Sequence, residues 1–367
     1  MKKTKQKIVK KPFWLLIAVI LIGAAIFAIE SQKPNIEPSK QVIEEKDSKY
    51  PKAQTFIGIE KWINSEPLKI EDLKGKVVLV DFWTYTCINC IRTLPYLESW
   101  DEKYRDDGLV IIGIHTPEFN FEKKYENVLK AVNDYGIKYP VALDNNYATW
   151  QLYQNRYWPH KYLIDMDGYV RYDHIGEGNY EETEKQIQEL LNERMERMKD
   201  GKIEQEITYS NQTVDFSKIK TPEIYFGYKF TRGNLGNIKP DHEGVYKYSL
   251  GGRVARNEVY VSGTWKNNAD NIELMGDSGE IILIYNAKRA NIVAESSNNS
   301  KINVMVDNQY LTESTKGEDI MLENNRSIAY VSDSKLYSIA NAENYGEHFL
   351  SIKVSGKGFR IYTFTFG

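Results

Sequence analysis

Cys87 and Cys90 are the two cysteines of this 367-residue chain, and they lie in the stretch DFWTYTCINC. The apolar run Val77–Val80 directly precedes this stretch. A buried strand that leads into Cys-x-x-Cys at the start of a helix is an arrangement that lowers a thiol pKa and makes one sulfur reactive. The pair therefore predicts thiol–disulfide chemistry.

The positions of the two thiols in the predicted helix indicate their roles. The first turn of a helix presents unpaired N–H groups and partial positive charge, which stabilise a thiolate at Cys87. Cys90 lies one turn later, where it is better shielded and close enough to attack a mixed disulfide at Cys87. We expect Cys87 to be the nucleophile, Cys90 the resolving thiol, and Cys87–Cys90 the redox-active disulfide.

Other chemistries of a cysteine pair fit this sequence less well. Structural zinc needs a second cysteine pair or two spaced histidines, and a c-type haem needs a histidine where Ile91 stands. A copper carrier would need a further soft or imidazole ligand, for which His115 and His160 are the candidates. Copper carriage stays an alternative, but we expect neither a metal nor a cofactor at the pair.

A thiol peroxidase of the redoxin class is a second alternative. Peroxiredoxins place a proline seven residues and a threonine three residues before the reactive cysteine. Thr84 fits this spacing, whereas Val80 stands at the proline position. The oxidoreductase therefore remains the leading prediction.

The residues around the cysteines alternate between strand and helix patterns, which predicts an α/β domain over residues 51–205. An Asp-Gly turn between β-rich runs is a strong hairpin signal, and it occurs at Asp167-Gly168. Strands are expected at 77–83, 109–114 and 139–143, helices at 87–104, 121–135 and 181–199, and hairpin strands at 162–165 and 169–174. This order implies a sheet covered by helices.

Residues 206–367 have a different pattern, in which short β-rich runs recur between clusters of Gly, Asn, Asp and Ser. The runs are 257–262, 280–287, 302–306, 327–331, 348–354 and 359–366. No long helical pattern interrupts them. This spacing predicts a C-terminal all-β domain with a jelly-roll or sandwich fold.

The first residues indicate a membrane anchor. Residues 1–12 carry six lysines and no acid, and residues 13–29 contain no charge. An uncharged run of about 17 residues is near the lower limit for crossing a bilayer. We predict a single transmembrane signal anchor, with the basic tail in the cytoplasm and the domains on the extracytoplasmic side of the cell membrane. A cleaved signal peptide is the rival, although Ile26 stands where cleavage favours a small residue.

The composition of the chain narrows the classes of protein to which it can belong. The polar residues 30–50 contain two prolines and no periodicity, which predicts a tether between anchor and domains. A hydrophobic fraction of 41% and a charged fraction of 27% describe ordinary globular domains. The net charge of −3 argues against a nucleic-acid partner. Two cysteines are too few for a disulfide scaffold.

Around the cysteines the sequence resembles the thioredoxin superfamily at that family's spacings. Asp81, six residues before Cys87, matches the family's buried acid, and Pro95 matches the proline that kinks its active-site helix. The resemblance implies that Asp81 accepts the proton of Cys90 during exchange. Burial beneath a helix would raise the pKa of this carboxyl, as a proton shuttle requires. Trp83 is expected to wall the site.

The stretch Arg156-Tyr-Trp-Pro159 adds to this resemblance. In the thioredoxin fold a cis-proline stands here and faces the cysteines, leaving a backbone edge free to pair with an extended substrate. By resemblance we assign this role to Pro159. Trp158, together with Trp83, is then expected to line the substrate groove.

Both halves together resemble DipZ-type proteins, in which a redox domain is followed by a β-domain similar to carbohydrate-binding modules. The motifs are FWTYTCINCIRTLP at 82–95, GIHTPEF at 113–119, YWP at 157–159, GTW at 263–265, VMVD at 304–307 and FRIYTFTFG at 359–367. The redox half also resembles the TlpA and ResA reductases. ResA-type proteins have a glutamate shortly after the pair, whereas Ile91-Arg-Thr93 contains none.

The resemblance implies a membrane-anchored extracytoplasmic thiol–disulfide oxidoreductase, and more specifically a reductase of oxidised extracytoplasmic proteins. DipZ proteins typically begin with a polytopic CcdA-like electron conduit, whereas this sequence has a single predicted anchor. We therefore expect a separate CcdA-like membrane protein to deliver electrons. Contact of the C-terminal domain with glycans or the cell wall is a further hypothesis. The substrate and the direction of electron flow stay open.

Overall fold

The computed structural model describes residues 38–199, 201–203, 206–207, 214–238 and 241–367. These residues form a six-stranded sheet flanked by helices, followed by a ten-stranded sheet. The predicted order, an α/β domain and then an all-β domain, is confirmed. Both the basic tail at 1–12 and the predicted anchor at 13–29 lie outside the described residues. Within the described ranges, no helix has the length and apolar character needed to span a membrane.

The described residues of the first domain form six strands and four α-helices. They are β1 (Trp62–Ile63), β2 (Val77–Trp83), β3 (Leu109–His115), β4 (Val141–Leu143), β5 (His160–Ile164) and β6 (Val170–Ile175), and the helices at Ile88–Tyr104, Tyr125–Asp134, Ala148–Leu152 and Tyr180–Met198. Short 3-10 helices lie at Ile70–Leu73 and Asn120–Lys123.

The sheet of this domain has the strand order β1-β4-β3-β2-β5-β6. Strand β2 is central, and all seven of its residues are buried. It runs parallel to β3 and antiparallel to β5, so the end of β2 lies between these two neighbours. This arrangement matches the buried apolar strand predicted at 77–83, and it directs the residues after Trp83 to one edge of the sheet.

A further helix, α1 (Lys40–Lys49), precedes the sheet. Its presence differs from the predicted tether at 30–50, and two interactions account for it. Ser39 caps the helix, and Lys46 Nζ lies 2.6 Å from Asp165 Oδ2 and 2.7 Å from Asp167 Oδ2. Both aspartates are almost fully buried in the hairpin turn, so these ion pairs hold α1 against the first domain. The remaining helices of the domain are then α2 (Ile88–Tyr104), α3 (Tyr125–Asp134), α4 (Ala148–Leu152) and α5 (Tyr180–Met198).

The described residues of the second domain form ten strands and a short 3-10 helix at Phe216–Lys218. The strands are β7 (Ile224–Tyr225), β8 (Gly244–Tyr248), β9 (Val259–Asn267), β10 (Ile272–Ser296), β11 (Ser300–Val306), β12 (Gln309–Tyr310), β13 (Met321–Glu323), β14 (Arg326–Val331), β15 (Lys335–Ser355) and β16 (Phe359–Phe366). The main order is β13-β14-β11-β15-β10-β16-β7, with β8 and β9 attached through β10 and β12 through β11. The jelly-roll or sandwich topology stays a prediction.

Two long strands differ from the predicted short runs. Strand β10 has 25 residues and β15 has 21, and they pair antiparallel over most of their length. The pairing register shifts between Ala287 and Arg289 and again between Ala290 and Asn291. The predicted runs 280–287 and 348–354 are therefore parts of two longer strands that bend at irregularities.

The two domains share an apolar core. Tyr225 and Tyr362 of the second domain belong to the same buried cluster as Phe119 and Phe121 of the first. The ring centroid of Tyr362 lies 5.1 Å from that of Phe119 and 4.7 Å from that of Phe121. Aromatic pairs at such distances add to the burial of apolar surface, so this interface fixes the second domain against the first.

Candidate active site

The two cysteines lie where the central strand passes into a helix. Strand β2 ends at Trp83, and Cys87 is the N-terminal capping residue of α2. Its Sγ accepts a hydrogen bond from the backbone N–H of Cys90 at 3.3 Å. Cys87 is partly exposed, whereas Cys90 is buried. The structure thus has one accessible sulfur at the helix N-terminus and one shielded sulfur a turn later.

The loop before β5 faces the accessible sulfur. The peptide bond between Trp158 and Pro159 is cis, as the resemblance implied. The Cys87 thiol lies 3.8 Å from the carbonyl oxygen of Trp158. The indole of Trp158 donates from Nε1 to the carbonyl of Thr116 at 3.0 Å and packs against Trp150 with ring centroids 4.3 Å apart. The structure therefore brings Cys87, Trp158 and Pro159 together.

Asp81 is buried in β2 beneath these residues. It is 1% exposed, and among the described residues its Oδ1 has no hydrogen-bond partner. Burial raises the pKa of Asp81 to about 7, against the opposing charge of Lys161. Burial also raises the pKa of the Cys90 thiol, and nearby Cys87 and Asp81 raise it further. A carboxyl that titrates near neutral pH thus lies in the same buried region as a thiol that holds its proton.

Lys161 is a member of this site that sequence reasoning missed. It pairs with Asp81 across β2 and β5, is fully buried, and donates from Nζ to the carbonyl of Gly176 at 3.1 Å. Burial lowers the pKa of Lys161, while Asp81, Cys90 and Glu177 oppose this shift. One feature of the sequence could have identified Lys161. It is a lysine two residues after Pro159, in a run that must form a buried strand, and a lysine is rarely buried without a partner.

Replacing Lys161 by methionine is expected to raise the pKa of Asp81 above about 7, because Lys161 is the charge that lowers it. The midpoint of the pH–rate profile for closing the Cys87–Cys90 disulfide should then move to higher pH. Stopped-flow measurement of this step between pH 5 and 10 checks the prediction. Lys161→Arg keeps the charge and is the matched control. An unchanged midpoint in Lys161→Met would contradict a role for this charge.

Trp83 occupies a different place from the one predicted. It is completely buried, so it supports the site from below and does not line a groove on the surface. Its ring lies edge-on to that of His115, with centroids 5.4 Å apart. The Trp83 Nε1 also lies 2.8 Å from the point where a Cβ on Gly113 would stand. Trp83 therefore packs directly on the neighbouring strand, whereas the backbone carbonyl of Trp158 lies 3.8 Å from the Cys87 sulfur.

Within the part of the chain that the structure describes, neither candidate histidine belongs to a group of three or more His, Cys, Asp or Glu side chains that could hold a metal ion. His115 is fully buried, and burial lowers its pKa to about 3, so the ring is neutral. His160 contacts Asn155 Oδ1 with Nδ1 at 2.6 Å and Asp173 Oδ2 with Nε2 at 3.0 Å. Both ring nitrogens of His160 are thus engaged within the first domain, on partners other than the cysteines.

A buried glutamate fixes the loop before Cys87. Glu122 is fully buried and accepts from the Thr86 hydroxyl at 2.6 Å, from the Glu118 N–H at 2.6 Å and from the Phe119 N–H at 2.9 Å. Burial raises the pKa of Glu122, and these donors oppose the shift. The glutamate expected shortly after the cysteines in ResA-type proteins is absent here, yet the fold brings Glu122 to the residue that precedes Cys87.

The second domain also contacts this loop. Tyr85 is 3% exposed, and its hydroxyl donates to the carbonyl of Ser334 at 3.1 Å. The same ring stacks on His115, with centroids 5.7 Å apart. The backbone carbonyl of Tyr85 accepts from the Tyr135 hydroxyl at 3.0 Å. The active-site loop is therefore held by groups from both domains.

Two family models match the chain. Residues 51–191 match the Redoxin family, and residues 221–367 match the family described as the thioredoxin-like C-terminal domain. These ranges fall within the two predicted domains. The order of the two matches along the chain is that of the observed α/β and all-β domains.

Curated relatives match the same regions. Protein DipZ of Mycobacterium bovis and that of Mycobacterium tuberculosis are each 41% identical to this chain over 241 residues, which cover 64% of this chain and 34% of the relative. Thiol-disulfide oxidoreductase ResA of Bacillus anthracis is 29% identical over 178 residues, which cover 48% of this chain and 95% of the relative. The chain thus spans about a third of the length of the DipZ relatives it matches.

Proposed function

Because this chain is a DipZ-type thioredoxin-like protein with a thiol–disulfide oxidoreductase domain, we propose that it reduces protein disulfides outside the cytoplasmic membrane. One observation carries the proposal. The partly exposed Cys87 sulfur lies at a helix N-terminus and faces the Trp158 carbonyl, while Cys90 and Asp81 are buried behind it.

The cycle begins when the Cys87 thiolate attacks one sulfur of a substrate disulfide. The Cys87–substrate bond forms, the substrate disulfide breaks, and the other substrate sulfur leaves as a thiolate. The Cys90 sulfur then attacks Cys87 Sγ and releases the second substrate sulfur. Two electrons have passed to the substrate, and Cys87 and Cys90 are joined as a disulfide.

The second step needs a base, because burial favours the protonated form of Cys90. Asp81 is the acceptor in this proposal, since its pKa of about 7 allows it to take a proton and release it again at neutral pH. Lys161, its buried cross-strand partner, stabilises the carboxylate. In this proposal the carbonyl of Trp158, which lies 3.8 Å from the Cys87 sulfur, accepts a hydrogen bond from the backbone of an extended substrate chain.

Trapping of intermediates tests the two cysteine roles. Cys90→Ser should accumulate a mixed disulfide with an oxidised protein, because the resolving sulfur is missing, whereas Cys87→Ser should accumulate at least tenfold less. Non-reducing electrophoresis after incubation with oxidised insulin measures both. The double variant is the control for non-specific coupling. Equal trapping by the two single variants would contradict the assigned roles.

We further propose that residues 13–29 anchor the protein in the cell membrane and that a CcdA-like membrane protein reduces the Cys87–Cys90 disulfide. The support is the uncharged sequence of that segment and the resemblance to DipZ-type proteins. The measurement is the in vivo redox state of the pair, by thiol alkylation, with and without the CcdA-like protein. A fully reduced pair in its absence would contradict this electron route.

Glycan contact by the β-domain is a separate proposal. The domain exposes Tyr310 on β12 and Tyr330 on β14, two strands that both pair with β11, and it exposes Met321 and Leu322 on β13. Exposed tyrosines on a β-surface can stack against sugar rings. Retention of the protein on cell-wall polysaccharide, lost in the Tyr310→Ala/Tyr330→Ala variant, is the expected result. Equal retention of this variant would remove these tyrosines from the proposal.

A further inference from the structure

A cleft of about 630 Å³ lies between the two domains, beside the active-site loop. One wall comes from the first domain and includes Ile88 and Arg92 of α2 and Lys130 of α3. The other wall comes from the β-domain and includes Ser332 and Lys335 near the start of β15. A cleft of this volume is in the range of ligand-binding sites in proteins.

The cleft lies beside the segment that carries the reactive cysteine. Tyr85 and Ile88, which lie on either side of Cys87 in the sequence, both line it. The opposite wall is fixed to this loop through the hydrogen bond from Tyr85 to the Ser334 carbonyl. A substrate whose sulfur reaches Cys87 therefore has the β-domain wall beside its neighbouring residues.

The walls carry charges of both signs. Lys130 lies 2.6 Å from Asp134 on its own helix and 3.7 Å from Asp333 across the cleft. On the β-domain side Lys335 pairs with Asp319 at 2.5 Å. The apolar side chains of Ile88, Ile91 and Leu336 lie among them. Such a mixture suits a polypeptide, because its side chains include positively charged, negatively charged and apolar groups.

The same lining is poorly suited to a sugar. Sugars commonly stack on an exposed aromatic face, whereas in the cleft Tyr85 is 3% exposed and Tyr135 is only partly exposed, with its hydroxyl engaged by the Tyr85 carbonyl. Among the described residues of the β-domain, the exposed tyrosines Tyr310 and Tyr330 are outside the cleft lining. The charge pattern and the position beside Cys87 thus favour a polypeptide over a glycan in this cleft.

We propose that this cleft binds the polypeptide segment that flanks the disulfide of an oxidised protein substrate, so that the β-domain forms part of the substrate site. The inference rests on the proposed disulfide reductase function and names its substrate class. The inference predicts that a substitution in the β-domain wall changes the rate of reaction with protein disulfides more strongly than the rate of reaction with small-molecule disulfides.

Ser332→Trp tests the inference in the full-length chain. Ser332 is exposed on the β-domain wall, so the indole would fill the cleft without burying a new group in either core. The reduced protein is mixed with oxidised insulin or with hydroxyethyl disulfide, and the second-order rate constant of its oxidation is measured for each. We expect the ratio of the insulin constant to the hydroxyethyl disulfide constant to fall at least fivefold.

The exposed Ser249, which does not line the cleft, provides the matched control, and Ser249→Trp should keep the wild-type ratio. A wild-type ratio in Ser332→Trp would overturn the inference, whether or not both rates fall together. Failure of the wild-type protein to react with either disulfide would instead overturn the proposed function itself. Inhibition of the wild-type insulin reaction by cell-wall oligosaccharide, absent in Ser332→Trp, would replace the polypeptide by a glycan as occupant.

Proximity gives a second, independent measurement. In a Cys90→Ser background, a photoreactive p-benzoylphenylalanine at position 332 should crosslink to insulin that is trapped on Cys87. The same group at position 249 should give no crosslink. Equal crosslinking from both positions, or none from position 332, would contradict occupancy of the cleft by the trapped polypeptide.

Discussion

Asp81→Asn is expected to slow closure of the Cys87–Cys90 disulfide about a hundredfold at pH 8. The wild-type carboxyl, with a pKa of about 7, is ionised at this pH and accepts the Cys90 proton, whereas an amide accepts none. Removal of a positioned base typically costs a factor of 10² to 10⁴. Stopped-flow measurement of the release of the second substrate sulfur follows this step directly.

The pH profile separates a base from a merely structural residue. In the wild-type protein the rate should rise as the pH passes through about 7, because Asp81 loses its proton there. In Asp81→Asn this inflection should disappear, and the rate should rise only at the higher pH at which the Cys90 thiol ionises unaided. A variant that retains the inflection near pH 7 would remove Asp81 from the role of proton acceptor.

The same carboxyl should make stability depend on pH. Its pKa is about 7 in the folded protein and about 3.9 in an unfolded chain, so the folded state binds the proton more tightly. The free energy of unfolding therefore falls as the pH rises from about 4 to about 7, by up to about 4 kcal/mol, and remains lower above that range. Asp81→Asn should remove this loss.

Urea unfolding of the reduced protein at pH 5 and pH 8 measures the effect. At pH 8 Asp81→Asn should be the more stable protein, and the difference from wild type should shrink at pH 5. Asp106→Asn, which replaces an exposed acid, is the matched control and should change neither value appreciably. Equal stabilisation by Asp81→Asn at both pH values would contradict a raised pKa at Asp81.

Glu122→Ala is expected to lower the free energy of unfolding by about 3–5 kcal/mol. The change leaves the Thr86 hydroxyl and the N–H groups of Glu118 and Phe119 without their acceptor in a buried region. Each buried donor that loses its partner costs about 1–3 kcal/mol. Because Thr86 precedes Cys87, alkylation of Cys87 should also slow in the folded protein.

Denaturant unfolding and the rate of iodoacetamide reaction measure the two effects. Glu122→Gln retains one acceptor oxygen and should lose less stability than Glu122→Ala. Glu126→Ala removes an exposed glutamate and should be close to wild type. A loss of stability no larger in Glu122→Ala than in Glu126→Ala would show that the three hydrogen bonds contribute little.

Local pattern was enough to predict the central part of the first domain. The apolar run ending at Trp83 and the Cys-x-x-Cys that follows gave the strand, the helix and the position of Cys87 at its N-terminus. Pro159 was identified through the resemblance to the thioredoxin fold, and the cis bond between Trp158 and Pro159 agrees with that assignment. These features depend on residues that are close in sequence or on spacings shared with a known fold.

The parts that were missed depend on pairing between distant residues. Lys161 meets Asp81 only because β5 pairs with β2, and Tyr85 meets Ser334 across 249 positions of the chain. Strand β10 continues through Gly276-Asp277-Ser278-Gly279, a combination that locally favours a turn. Pairing with β15 outweighs that local preference for a turn, and the pairing with β9 accommodates the segment through an irregularity in its register.

Three aromatic rings pack together between the domains, namely those of Phe119, Phe121 and Tyr362. Their packing restricts which domains can be exchanged to make a chimera of this protein. A chimera that joins another redox domain to this β-domain would leave Tyr362 facing a surface shaped for different side chains. The grafted domain would have to supply aromatic residues at both partner positions before it could dock. Natural variation at these three sites should accordingly occur in concert, since a change in one ring alters the space left for the other two.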